Sequence, residues 1–78
     1  MWPNTDDHKV VGAYLAQIRR SANVNQVELA ERLGKPQSFI SAYERGQRRV
    51  DFVEFTHIMR ALGRDPIATG LRLLEKLG

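Results

Sequence analysis

The sequence predicts an all-α fold of five short helices, and three observations predict it. Apolar residues recur at three- and four-residue steps, and no stretch alternates apolar and polar residues cleanly for five or more positions. Capping side chains and helix-stopping glycines punctuate the chain at short intervals, and no linker is long enough to divide domains. The 78 residues contain no cysteine, which excludes a disulfide scaffold, a thiolate metal site and a cysteine nucleophile. Stability must then come from one modest packed core, with residues 1–78 forming a single domain.

The elements follow in order. Helix 1 is expected from about Asp7 to Ser21, with Val11, Tyr14, Leu15, Ile18 and Ala22 in one stripe and Thr5 or Asp6 as its cap. Residues 1–6 read as a flexible leader, in which Trp2 either covers the core edge or is disordered. Helix 2 begins after Asn25, which has capping-box spacing to Glu28. Leu29, Ala30 and Leu33 face inward, and Gly34 stops the helix in the left-handed region. Helix 3 opens with Pro36 at its first position, where a missing N–H costs nothing, and Gly46 is its stop. Its inward face is Ile40 and Tyr43. Asp51 and Glu54 form another capping pattern, opening helix 4 with Phe55, Ile58, Met59 and Leu62 inside and Gly63 as its end. Asp65-Pro66 starts helix 5, which carries Ile67, Leu71, Leu74 and Leu77 on one side.

Charge is unevenly placed. The net charge is +3, but Arg19 to Arg49 alone carries +4 and the remainder −1. A concentrated positive face suits a polyanion, because lysine and arginine near phosphates release bound counterions. A solvated helical surface would look the same by charge alone. Gln26 to Arg45 is more specific. Two short helices meet at a glycine turn; Ala30 lets the second pack close across the first, and Ile40 and Tyr43 lock them together. This is the physical specification of a helix-turn-helix.

The segment resembles the Xre/Cro-type helix-turn-helix family of bacterial and phage transcriptional regulators. The resemblance rests on Leu15-x-x-Ile18-Arg19, Asn25-Gln26-x-Glu28-Leu29-Ala30-Glu31-x-Leu33-Gly34, Ile40-Ser41-x-x-Glu44-Arg45-Gly46 and Phe55-x-x-Ile58-x-x-Ala61-Leu62-Gly63. It spans about residues 10 to 70. It implies a compact five-helix bundle of the lambda-repressor-like DNA-binding type, with helix 3 in the major groove of double-stranded DNA. Pro36, Gln37, Ser38, Ser41 and Ala42 then sit at outward positions for base contact. Gln37 leads, because its amide can bond adenine at N6 and N7 together. Ala42 is small where relatives often carry a longer polar residue. Phe39 packs either on a thymine methyl or on the protein. Gln26, Asn25, Arg45, Arg48, Arg49 and Arg20 are expected at phosphates. Simple capping for Asn25 and a solvated loop for Arg48 and Arg49 are the competing readings. The resemblance pairs Arg19 with Glu44 as a structural tie between helices 1 and 3.

One helix in one groove reads few base pairs, so a homodimer on a palindrome is expected, with half-sites about 34 Å apart. Ile67, Leu71, Leu74 and Leu77 are its expected interface; packing of these residues against helix 1 is the competing reading. The implied function is a sequence-specific transcriptional regulator, a repressor acting by occlusion. An antitoxin with a toxin partner, a restriction-modification controller and a protein-interaction adaptor stay open as alternatives. No catalytic constellation appears, so an enzyme is not expected, and no cofactor is implied. His8 and His57 have no i, i+4 partner, so no metal site is expected. No apolar run is long enough to span a bilayer, and residues 1–9 lack the apolar core of a signal peptide, so a cytoplasmic location is expected.

Overall fold

A computed structural model describes residues 6–78; Thr5, Trp2 and the rest of the expected leader before Asp6 lie outside the described residues. The order is α1 (Asp6–Ser21), α2 (Gln26–Leu33), α3 (Gln37–Glu44), α4 (Phe52–Ala61) and α5 (Pro66–Leu77), with no strand among the described residues. Asp6, expected as a cap or as the last residue of the leader, is already helical, the first described residue of α1. Pro36 also moves by one place. It is the N-cap of α3, at φ −70° and ψ 154°, and Gln37 is the first helical residue. The proline ring fixes φ, but the extended ψ keeps Pro36 outside the helix.

The starts and stops follow side-chain chemistry. Asn25 and Asp51 each accept a bond from the backbone N–H three residues on, and the Glu28 and Glu54 carboxylates in turn accept one from the cap N–H. Asp65 accepts from the Ile67 N–H at 3.0 Å. Four helices end in one way. Asn23, Gly34, Gly46 and Gly63 have φ between 59° and 75°. In each case the next amide bonds a carbonyl five residues back: Val24 to Arg19, Lys35 to Ala30, Gln47 to Ala42 and Arg64 to Met59. That pairing satisfies carbonyls that the helix end would otherwise orphan.

The core lies where the helices converge. Leu15, Leu29, Ile40, Tyr43, Ile58 and Met59 are fully buried, joined by Val24 from the first joint and by Phe55 and Leu62. α3 packs on α1 and α2, α2 on α4, and α5 on α1 and α4. α3 comes unusually close to α1 at Gly12. A Cβ there would overlap the carbonyl oxygen of Tyr43 and stand 2.8 Å from that of Glu44. α5 turns its small-residue side inward. Thr69 is buried, Leu73 is half-buried, and Gly70 faces the Phe55 ring. Ile67, Leu71 and Leu74 point outward instead, at 75%, 60% and 63% exposure. The helix is thus seated on a narrow, small-residue strip, and its apolar stripe lies outside the core.

Candidate nucleic-acid interface

The site begins with a buried charge. Arg19 is 8% exposed. A guanidinium there must be paired, because an isolated ion in that setting is strongly unfavourable. Its Nε and Nη2 donate to the two carboxylate oxygens of Glu44 at 2.7 and 3.0 Å, and Nη1 donates to the Val24 carbonyl at 2.9 Å. The bonded carboxylate raises the Arg19 pKa above its already high ordinary value. α1 and α3 are therefore tied by a bidentate fork, a geometry that only arginine supplies.

Glu44 accepts a second bond, from Gln26 Nε2 at 2.9 Å. A carboxylate only accepts, so Gln26 must turn its NH₂ toward it. That leaves Gln26 Oε1 facing outward, where it accepts from Gln37 Nε2 at 3.2 Å. Arg19, Glu44, Gln26 and Gln37 thus form one polar chain from the core to the surface. At its outer end, the Gln37 amide keeps one N–H and its carbonyl oxygen. This is the donor–acceptor pair that an adenine edge requires.

The neighbours of Gln37 are small. Ser38 is exposed, while Ser41 and Ala42 are half-buried along the same helix. Phe39 turns its ring onto protein: edge to face with Tyr43 at 5.5 Å, with Lys35 Nζ 5.7 Å and the Arg48 guanidinium 4.5 Å from its centroid. Burial pushes the Tyr43 hydroxyl up, and it has no hydrogen-bond partner among the described residues.

The cations divide into two groups. The side chains of Arg20, Arg45 and Arg49 are exposed, with no ion pair or hydrogen bond among the described residues. Arg48 is engaged. It donates to the Arg49 carbonyl at 2.7 Å and, through both terminal nitrogens, to Glu54 at 2.9 and 2.8 Å. Arg48, helped by the Asp51 N–H, holds the Glu54 carboxyl below its usual range. Asn25 Oδ1 is occupied by the Glu28 amide at 2.8 Å. Beside it, the first turn of α2 offers free N–H groups next to Gln26, as any helix start does.

Sequence reasoning did not identify the Arg32 bond to the Ala61 carbonyl at 2.8 Å, which ties α2 to α4. It also passed over Phe52 and Val53, exposed by 86% and 65% at the start of α4. Phe52 borders the groove formed with Phe55, Ile67, Gly70 and Leu74. Among the described residues no three His, Asp or Glu side chains gather as a metal site would need, and no helix is long and apolar enough to cross a membrane.

Comparison with known proteins bears on the family and the fold. A family model described as a helix-turn-helix domain matches residues 10–70. An uncharacterised HTH-type transcriptional regulator, y4dJ of Sinorhizobium fredii, is 34% identical over 58 residues, covering 74% of this chain and 75% of that protein. The solved structure of an XRE-family like protein from Pseudomonas syringae pv. tomato superposes with a TM-score of 0.81 at 38% identity, covering 92% of this chain and 88% of its own. The restriction-modification controller protein C.AhdI from Aeromonas hydrophila superposes with a TM-score of 0.74 at 30% identity, covering 81% and 96%.

Proposed function

This chain belongs to the Xre-type helix-turn-helix family of transcriptional regulators, a non-enzymatic DNA-binding family, and from that premise we propose that it is a repressor that binds a palindromic operator as a homodimer. The observation that carries base reading is the polar chain ending at Gln37. It holds a side-chain amide on the outer face of α3 in one orientation. Ser38 and Ser41 supply further contacts beside it, with Ala42 against the groove wall. Arg20, Arg45 and Arg49 meet phosphates, together with the α2 N-terminus at Asn25 and Gln26. A bound pair blocks polymerase from the promoter.

The support for pairing is the apolar surface left over after the core is complete. Ile67, Leu71, Leu74 and Leu77 line one side of α5, and Phe52 stands at its edge. Contiguous apolar patches of this kind mark association surfaces. Leu74→Glu is expected to lower the mass seen in sedimentation and leave helicity intact, because Leu74 is 63% exposed in the folded chain. An unchanged mass would remove Leu74 from the interface.

Selection from random duplexes at two salt concentrations tests the reading. The expected product is a twofold consensus with half-sites about one helical turn apart. Gln37→Ala is expected to cost about 1–3 kcal/mol at that site and to relax one or two positions in it. A pool with no consensus would overturn the proposal. The likeness to C.AhdI favours a second reading, a restriction-modification controller. A methylase and an endonuclease gene beside this one would decide for it.

A further inference from the structure

The Arg48 side chain lies in the basic loop after α3, where charge alone would send it to a phosphate. Its surroundings point elsewhere. Both terminal nitrogens grip the Glu54 carboxylate, at 2.9 and 2.8 Å, and one also reaches the Arg49 carbonyl at 2.7 Å. The guanidinium carbon lies over the Phe39 ring, 4.5 Å from its centroid.

Glu54 is fixed before Arg48 meets it. Its amide donates to Asp51 Oδ1 at 2.7 Å, and its own Oε1 accepts from the Asp51 amide at 3.0 Å. The carboxylate is therefore anchored to the first turn of α4. Phe39 is anchored to α3, two residues from Gln37. Arg48 joins the two: its fork is on Glu54 of α4 and its cationic centre lies over the Phe39 ring of α3. α3 otherwise packs chiefly on α1 and α2.

We propose that Arg48 is a positioning residue for base discrimination, a clamp that sets the rotation of α3 about its own axis through Phe39, and that it is not a phosphate contact. Charge supports this. A guanidinium paired with a carboxylate has little net charge to offer DNA, and leaving that pair would bare Glu54 toward the polyanion. The pair is 42% and 21% exposed on its two side chains, so its contribution to stability is small. Geometry is where it acts. A small rotation of α3 moves Gln37 and Ser38 off a base edge, and bidentate contacts tolerate little misplacement. The inference rests on the reading that α3 recognises bases.

The test uses the full chain, its selected duplex and a scrambled duplex, with affinities measured across a salt series. For Arg48→Ala, the cognate-to-scrambled ratio is expected to fall about tenfold, the scale of one good base contact, with the salt slope unchanged. Arg48→Lys is expected to fall with it, because an ammonium lacks the planar two-nitrogen fork that holds Glu54. Glu54→Gln is expected to lower the ratio in the same direction. A slope reduced by about one, an intact ratio and rescue by lysine would make Arg48 a phosphate contact and overturn the clamp. A wild-type chain that binds both duplexes alike would overturn base reading by α3, and this inference with it. A discriminating wild type whose ratio survives Arg48→Ala overturns the clamp alone. Thermal melts of each variant, expected within a few degrees of wild type, separate positioning from unfolding.

Discussion

Gly12→Ala is expected to destabilise the fold by about 2 kcal/mol or more, although alanine is the better helix former. The intrinsic preference for alanine over glycine in a helix is about 1 kcal/mol and acts in favour of the variant. Against it stands the contact with α3. The added methyl would overlap the Tyr43 carbonyl oxygen and stand 2.8 Å from that of Glu44. Overpacking commonly costs about 1–3 kcal/mol, and more where nothing can give way. Here the obstacle is backbone, so no rotamer change relieves it; α1 and α3 must separate. For a domain of this size, 1 kcal/mol corresponds to about 4–8 °C in Tm, so a loss of about 10 °C or more is expected. A thermal melt decides it. An unchanged or raised Tm would mean that the two backbones are not in contact at Gly12.

Glu44→Ala is expected to be worse, at about 3–5 kcal/mol, because it leaves the Arg19 guanidinium buried without its counter-ion. Total stabilities of small domains run to about 5–15 kcal/mol, so the variant is left marginal. The same change deprives Gln26 of its acceptor and thereby frees the orientation of Gln37. Two measurements separate the effects. The double variant Arg19→Met, Glu44→Leu removes both charges and is expected to regain much of the lost stability. It is not expected to regain base discrimination, since neither new side chain can hold the Gln26 amide. If single and double variants melt alike, the buried charge is not the source of the loss. If the double variant discriminates bases normally, the polar chain does not orient Gln37.

Much of this architecture was readable in advance, for local reasons. Capping boxes at Asn25–Glu28 and Asp51–Glu54 depend on residues three apart, and the core positions of α1, α2 and α4 follow helical periodicity. What escaped depends on distance through space. Gly12 reads as one more small residue until the α3 carbonyls are placed against it. Arg48 reads as a free cation because Glu54 is six residues away, across a joint. The apolar stripe of α5 was visible, but its direction was not. Periodicity groups residues on a face without saying which way the face turns, and Thr69 and Gly70 supply the inward side. Pro36 was displaced by one position because its ring fixes φ alone, and ψ decides membership of the helix.

The outward stripe of α5 has a consequence for dose. Leu15, Leu29, Ile40 and Met59 are sealed within one protomer, without help from Ile67, Leu71 or Leu74. In the proposed dimer, folding and pairing are separate equilibria, and the second can lie in the concentration range that the cell itself sets. While most protomers are single, the paired form grows with the square of their number. Operator occupancy would then rise twice as steeply, on logarithmic axes, as the amount of protein. A regulator built this way would register its own abundance.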